Sequence, residues 1–188
     1  MIMATSIDGG IGYDNGISWY IKEDLKKFKD ITSRVEDKTK RNAIIMGKNT
    51  WLSMPKKPLP NRLNIILTSD TQFKCDNDNI KIFNKLYDAI SYCDKNNSIE
   101  NVYIIGGSIL FNKIMECPIY RNIIDKIYLS VVFYNVTYIN NKFIDIYNIF
   151  KYFKFIKDDN FKTECDNRLF ASYICIPYKK ILHKSPSI

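Results

Sequence analysis

Apolar runs of strand length alternate along this chain with stretches of helical periodicity, and that alternation restricts the fold more than any other feature. The runs are Ile2–Ile7, Ala43–Met46, Leu63–Leu67, Ile80–Phe83, Val102–Ile105 and Ile127–Phe133, and the helical patterns fall at about 23–32, 49–54, 86–95 and 108–116. Strands that read as continuous apolar runs are buried on both faces, which is a property of parallel sheets covered by crossover helices. The expected class is therefore α/β: a single domain with a central, mostly parallel twisted sheet and helices on both faces. Beyond Ile127 the pattern changes, because Tyr152–Ile156 and Leu169–Pro177 are strand-like with no helix between them, which predicts an antiparallel C-terminal strand at the sheet edge. Residues 33–42 are polar and predict an exposed loop. No repeat or linker interrupts the chain, so the domain is expected to span 1–178, followed by a polar tail, 179–188.

Composition excludes several functions. The apolar start, Met1–Ile7, runs straight into Asp8-Gly9-Gly10 and is too short for a signal peptide or a membrane span. The five cysteines are scattered and show no C-x-x-C spacing, against a disulfide framework or a zinc site, which suits a reduced, cytoplasmic protein without metal. The single histidine, His183, lies in the tail and makes a poor base or ligand. The net charge of +8 is spread over both halves rather than gathered in a stripe, so neither nucleic acid nor membrane is expected as a partner. Lys26, Lys27, Lys29 and Arg34 alternate with acids and read as a solvated helix face.

Three places carry candidate chemistry. Asp24, Phe28 and Ile31 stand at i, i+4 and i+7, which puts a carboxylate on an apolar helix stripe beside Leu25. Such an acid either serves the helix dipole from the first turn or waits for a ligand with adjacent N–H donors, and spacing alone leaves both readings open. Second, the strand Ile44–Met46 runs into Gly47-Lys48-Asn49-Thr50, where the chain can approach an anion closely and a lysine can reach it. Trp51 after it reads as core. Third, Ile104-Ile105-Gly106-Gly107-Ser108 repeats the strand–glycine–helix pattern, without being the G-x-G-x-x-G fingerprint. Two such turns on parallel strands favour a phosphate-bearing cofactor, since ligands gather at the carboxyl ends of those strands.

With these residues in this order, and with the loop Ile11-Gly12-Tyr13-Asp14-Asn15-Gly16-Ile17-Ser18-Trp19 ahead of them, the chain resembles dihydrofolate reductases from Ile2 to about Ser130; the longer loop at 33–42 resembles the eukaryotic-type enzymes. The resemblance implies reduction of 7,8-dihydrofolate to 5,6,7,8-tetrahydrofolate by hydride transfer from NADPH to pterin C6, in support of one-carbon metabolism. It implies that Asp24 holds the pterin 2-amino group and N3, that Ser130 supports this acid, and that Trp19 stands beside the loop closing over nicotinamide. Ile2, Ala4, Leu25, Phe28, Met54, Leu59 and Ile105 match positions around the substrate, and Arg62 matches the arginine that binds the glutamate carboxylate, a task suited to a bidentate guanidinium. Ala4, Ile11, Gly12, Asn15, Gly16 and Ile17 match positions near nicotinamide and ribose. Gly47, Lys48, Asn49, Thr50, Leu67, Thr68 and Ser69 match the side holding the adenosine ribose and 2′-phosphate; Ile105, Gly106, Gly107, Ser108, Ile109, Leu110 and Phe111 match the pyrophosphate and nicotinamide turn. Ser18 replaces the proline usual before the tryptophan, and Ser69 an arginine common in eukaryotic-type proteins, leaving NADPH preference mainly to Lys48. The resemblance is compatible with a monomer or with the reductase part of a fusion to thymidylate synthase. Two other readings, a pyrimidine reductase of riboflavin synthesis and a non-catalytic nucleotide- or nucleic-acid-binding module, share the fold but explain Asp24, Arg62 and Ser130 less well.

Overall fold

The computed structural model describes residues 1–13, 16, 17, 19–133, 142–158 and 170–178. The expected tail 179–188, His183, Asn15 and Ser18 lie outside the described residues. Contacts divide the chain into two compact units: Leu25–Leu110, and the segments flanking it.

In Leu25–Leu110 four parallel strands are ordered β5-β4-β3-β6, with β3 Arg41–Gly47, β4 Arg62–Leu67, β5 Ile80–Phe83 and β6 Ile99–Gly106. The crossovers carry α2 (Lys48–Ser53) between β3 and β4 and α3 (Leu86–Asp94) between β5 and β6. Ala43 to Met46 on β3 are fully buried, as an inner strand covered on both faces must be. Ile44, Met46, Trp51, Ile66 and Ile80 form one core cluster, so Trp51 packs as the sequence predicts.

The flanking segments build a second sheet ordered β1-β7-β10-β9, with β1 Ile2–Ser6, β7 Ile127–Val132, β9 Phe153–Lys157 and β10 Phe170–Pro177. β1 and β7 run parallel, and β10 is antiparallel to both of its neighbours. A short ribbon pairs β2 (Gly10–Gly12) with β8 (Lys142–Phe143). The mixed α/β class, the parallel-rich pairing and the antiparallel C-terminal strands agree with expectation; β10 is an inner strand, and β9 forms the edge. Helix α1 (Lys22–Ser33) and helix α4 (Ser108–Glu116) fall where periodicity places them, whereas the short α5 (Pro118–Asn122) and α6 (Ile146–Tyr152) were not expected. The sequence signal for α6 is Asp145, whose side chain caps the helix by accepting from the Asn148 N–H at 3.2 Å. No helix among the described residues is long and apolar enough to cross a membrane.

Two expectations need correcting. Lys27 is 2% exposed rather than on a solvated face, because it stands one turn from Asp24 on the inward stripe of α1. Asn42 is fully buried at the start of β3 rather than exposed in the 33–42 loop. Its Nδ2 donates to the carbonyls of Thr32 (3.0 Å) and Arg34 (2.7 Å), closing the end of α1, while its Oδ1 accepts from the Asn101 N–H (3.1 Å).

Candidate functional site

In the flanking unit, Asp24 lies in the first turn of α1, where the helix dipole favours an acid. Ser130 lies on β7, in register with Ala4 of β1 and Ser172 of β10, and its Oγ donates to Asp24 Oδ1 at 2.5 Å. Ser130 is buried and Asp24 partly buried, and the hydroxyl sets the orientation of the carboxylate from the sheet. A short bond from a buried hydroxyl is the charge-assisted kind that fixes a carboxylate in one rotamer. The two residues paired by resemblance are thus brought together. Trp19, 8% exposed, packs with Ile21, Val132 and Ala4 on the same sheet. Ile2 is buried on β1, Gly12 is buried on β2 with Ile11 partly so, and Phe111 is buried in α4. Gly16 exchanges backbone hydrogen bonds with Tyr13, and Ile17 is exposed.

In Leu25–Leu110, the two glycine turns lie at the ends of adjacent strands, where Met46 of β3 pairs with Gly106 of β6. A Cβ on Gly107 would stand 3.1 Å from Thr50 Oγ1, and one on Gly47 would stand 4.0 Å from the Gly106 carbonyl. Gly106 has φ 120°, which side chains rarely adopt. Bare backbone therefore meets bare backbone, with the Thr50 hydroxyl between the turns and Lys48 beside them. That donor set, and a cradle which added side chains would fill, fit a phosphate-bearing group. Ser108 begins α4; Asn49 and Ile109 are exposed, Leu110 is buried, and Leu67 ends β4, followed by Thr68 and the exposed Ser69.

Arg62 opens β4 and is 3% exposed. Its Nη1 donates to Thr32 Oγ1 at 2.6 Å and its Nε to the Pro60 carbonyl at 3.0 Å, while the Thr32 hydroxyl donates onward to Phe28 O at 2.7 Å. Burial lowers the guanidinium pKa from its ordinary value. A guanidinium so braced is directed rather than free to swing, and Thr32 is a supporting residue of the candidate site that sequence reasoning missed. So is Asn64, fully buried in β4: its Oδ1 accepts from the Leu59 N–H at 2.9 Å and its Nδ2 donates to the Leu59 carbonyl at 3.0 Å, which fixes the Leu59 segment. The signal for Asn64 was available, since an amide inside the run Leu63–Leu67 must find partners. Met54, Leu59 and Ile105 pack partly buried against the core cluster, Phe28 is half-buried, and Leu25 is exposed.

A family model described as dihydrofolate reductase matches residues 1–174. A dihydrofolate reductase from Aedes albopictus is 37% identical over 121 residues, covering 62% of this chain and 65% of that protein. A bifunctional dihydrofolate reductase-thymidylate synthase from Daucus carota is 35% identical over 127 residues, covering 63% of this chain and 24% of that protein. Among solved structures, Schistosoma mansoni dihydrofolate reductase aligns with a TM-score of 0.74 at 26% identity, covering 94% of this chain and 96% of the other. The chain thus spans less than two thirds of the length of these two curated relatives.

Proposed function

This chain belongs to the dihydrofolate reductase family, and on that premise we propose that it catalyses NADPH-dependent reduction of 7,8-dihydrofolate to 5,6,7,8-tetrahydrofolate. The observation that supports the reading most directly is the Asp24–Ser130 pair, in which an acid on a helix stripe is oriented by a buried hydroxyl. A planar ring edge with an amino group beside a ring N–H matches the two oxygens of such a carboxylate, and the charge makes both hydrogen bonds strong. Asp24 accordingly grips and polarises the pterin, and Ser130 holds Asp24 in place. Arg62, braced by Thr32 and Pro60, offers its guanidinium to the glutamate carboxylate of the substrate. By the family resemblance Ile2 and Ala4 in the flanking unit, and Leu25, Phe28, Met54, Leu59 and Ile105 in Leu25–Leu110, are the apolar residues assigned to the substrate, and Trp19 is assigned to the nicotinamide loop. Lys48, Thr50 and the Gly47 and Gly106-Gly107 turns hold the phosphates, with Thr68 and Ser69 beside the adenosine ribose. The bound dinucleotide supplies the hydride, and the chain's work is binding, orientation and charge.

The product would serve one-carbon transfer to thymidylate and purines, in the cytoplasm, where the free cysteines Cys75, Cys93, Cys117 and Cys175 remain reduced. The chain would act as a monomer or as the reductase part of a longer protein with thymidylate synthase. The test is loss of NADPH absorbance on adding dihydrofolate to the purified protein, with and without methotrexate. Oxidation that requires dihydrofolate and stops with the antifolate supports the proposal; a folded protein that binds NADPH and oxidises none with dihydrofolate overturns it.

A further inference from the structure

Lys48 has a partner within its own unit. Its Nζ lies 2.9 Å from Asp70 Oδ2, with the two side chains 31% and 41% exposed, and 5.8 Å from the centroid of the Phe73 ring. The two partners differ in freedom. Asp70 is tied to a turn: its N–H donates to Thr68 Oγ1 at 3.1 Å, its Oδ1 accepts from the Gln72 N–H at 3.0 Å, and its carbonyl accepts from the Phe73 N–H at 3.2 Å. Thr68 in turn donates its N–H to the Phe83 carbonyl at 3.0 Å, which ties the turn to β5. Lys48 reaches this fixed carboxylate on a flexible four-carbon stem. The hydrogen bond from Lys48 also holds the Asp70 carboxyl below the usual carboxylate range.

We propose that Asp70 determines dinucleotide specificity: it takes up the charge of Lys48 and fixes a negative charge beside the 2′-phosphate position, so that the chain discriminates weakly between phosphorylated and unphosphorylated dinucleotides. The inference rests on the reading above that Lys48 faces the adenosine 2′-phosphate. A phosphate arriving at Lys48 either shares the ammonium with a carboxylate anchored by its own turn or displaces it, and both routes cost binding. Sharing brings two anions together at one ammonium, and their repulsion at a few ångströms is felt even where water screens it. A ribose without the phosphate instead offers a hydroxyl, which a carboxylate accepts well, as acidic residues do in proteins that select the unphosphorylated cofactor. One residue therefore penalises one cofactor and favours the other.

Equilibrium binding of NADPH and NADH, followed by quenching of tryptophan fluorescence, tests this on the full chain, on Asp70→Asn and on Lys48→Gln. Asparagine keeps an oxygen for the Gln72 N–H, and a circular dichroism melt checks that the fold is unchanged. Asp70→Asn is expected to raise the preference for NADPH over NADH about threefold to tenfold, the range of a partly exposed ion pair plus a removed repulsion. Lys48→Gln is expected to weaken NADPH and leave NADH nearly unchanged. If Lys48→Gln weakens NADPH while Asp70→Asn leaves the ratio where it was, the role of Asp70 is refuted and the cofactor reading stands. If Lys48→Gln alters neither dinucleotide, the placement of the 2′-phosphate at Lys48 fails and the inference falls with it.

Discussion

Replacing Ser130 by alanine deletes one hydrogen bond and almost nothing else. The hydroxyl donates to Asp24 Oδ1 at 2.5 Å from a position that is 4% exposed, between Ala4 on one neighbouring strand and Ser172 on the other. Hydrogen bonds to charged groups contribute about 1.5–3 kcal/mol. Asp24 is only partly buried, so water replaces some of the lost donor and the lower end applies, about 1.5 kcal/mol, which corresponds to roughly a tenfold fall in kcat/KM for dihydrofolate. The missing oxygen leaves too small a void to cost much more than about 1 kcal/mol of stability. Ser130→Thr keeps the hydroxyl and adds a methyl group of the kind strands accommodate, so activity should return with it. The assay is steady-state NADPH oxidation over a range of dihydrofolate concentrations, with a thermal melt of each variant. A folded Ser130→Ala protein whose kcat/KM stays within about twofold of the parent, alongside an inactive Asp24→Asn, would refute the view that the serine positions the acid.

Asp24→Asn should fold normally and lose about 10²–10⁴ in turnover at neutral pH, recovering part of it in acid, where the substrate arrives already protonated; a pH–rate profile superimposable on the parent's contradicts this. Thr32→Val should unbrace Arg62, raising KM for dihydrofolate several-fold with kcat little changed and costing about 1–3 kcal/mol of stability. A pteridine substrate lacking the glutamate should show no such change in KM, and an equal change for both substrates speaks against a glutamate-binding role. Burial pushes the Cys93 thiol up to about 11 and the Cys175 thiol up to about 12, from an ordinary value of 9.0. The folded state then holds more protons than the unfolded chain above pH 9.0, so stability is whole below that value and is lost as pH rises through the folded-state values, by about 1.4 kcal/mol per thiol for each unit passed. Urea midpoints that stay flat from neutral pH to about pH 10 would rule this out.

The parallel strands were legible because burial on both faces writes an unbroken apolar run, and Ala43 to Met46, each fully buried, form such a run. Polar residues inside the fold were not legible by the same route. Asn42 reads as loop because amides are mostly solvated, yet its four hydrogen-bonding sites suit the end of a helix ten residues before it and a strand fifty-nine residues after it. Lys27 and Thr32 were hidden for a related reason: periodicity shows which side of α1 faces inward but is blind to what waits there. Arg62, expected to meet a ligand, proves to depend on Thr32, a partner thirty residues away.

Asp24 and Asp70 show how far residue type can lead. Each is an aspartate beside a candidate ligand position, and neither spacing nor composition tells them apart. Asp24 receives a hydroxyl from Ser130, on a strand 106 residues away, which orients its carboxylate. Asp70 receives an ammonium from Lys48 and a backbone N–H from its own turn, an arrangement that spends its charge on the protein. A hydroxyl donor sets the direction of a carboxylate, whereas a carboxylate that holds an ammonium is suited to modulating that cation. The donors that reach each carboxylate come from elsewhere in the sequence, and only the folded chain brings them into place.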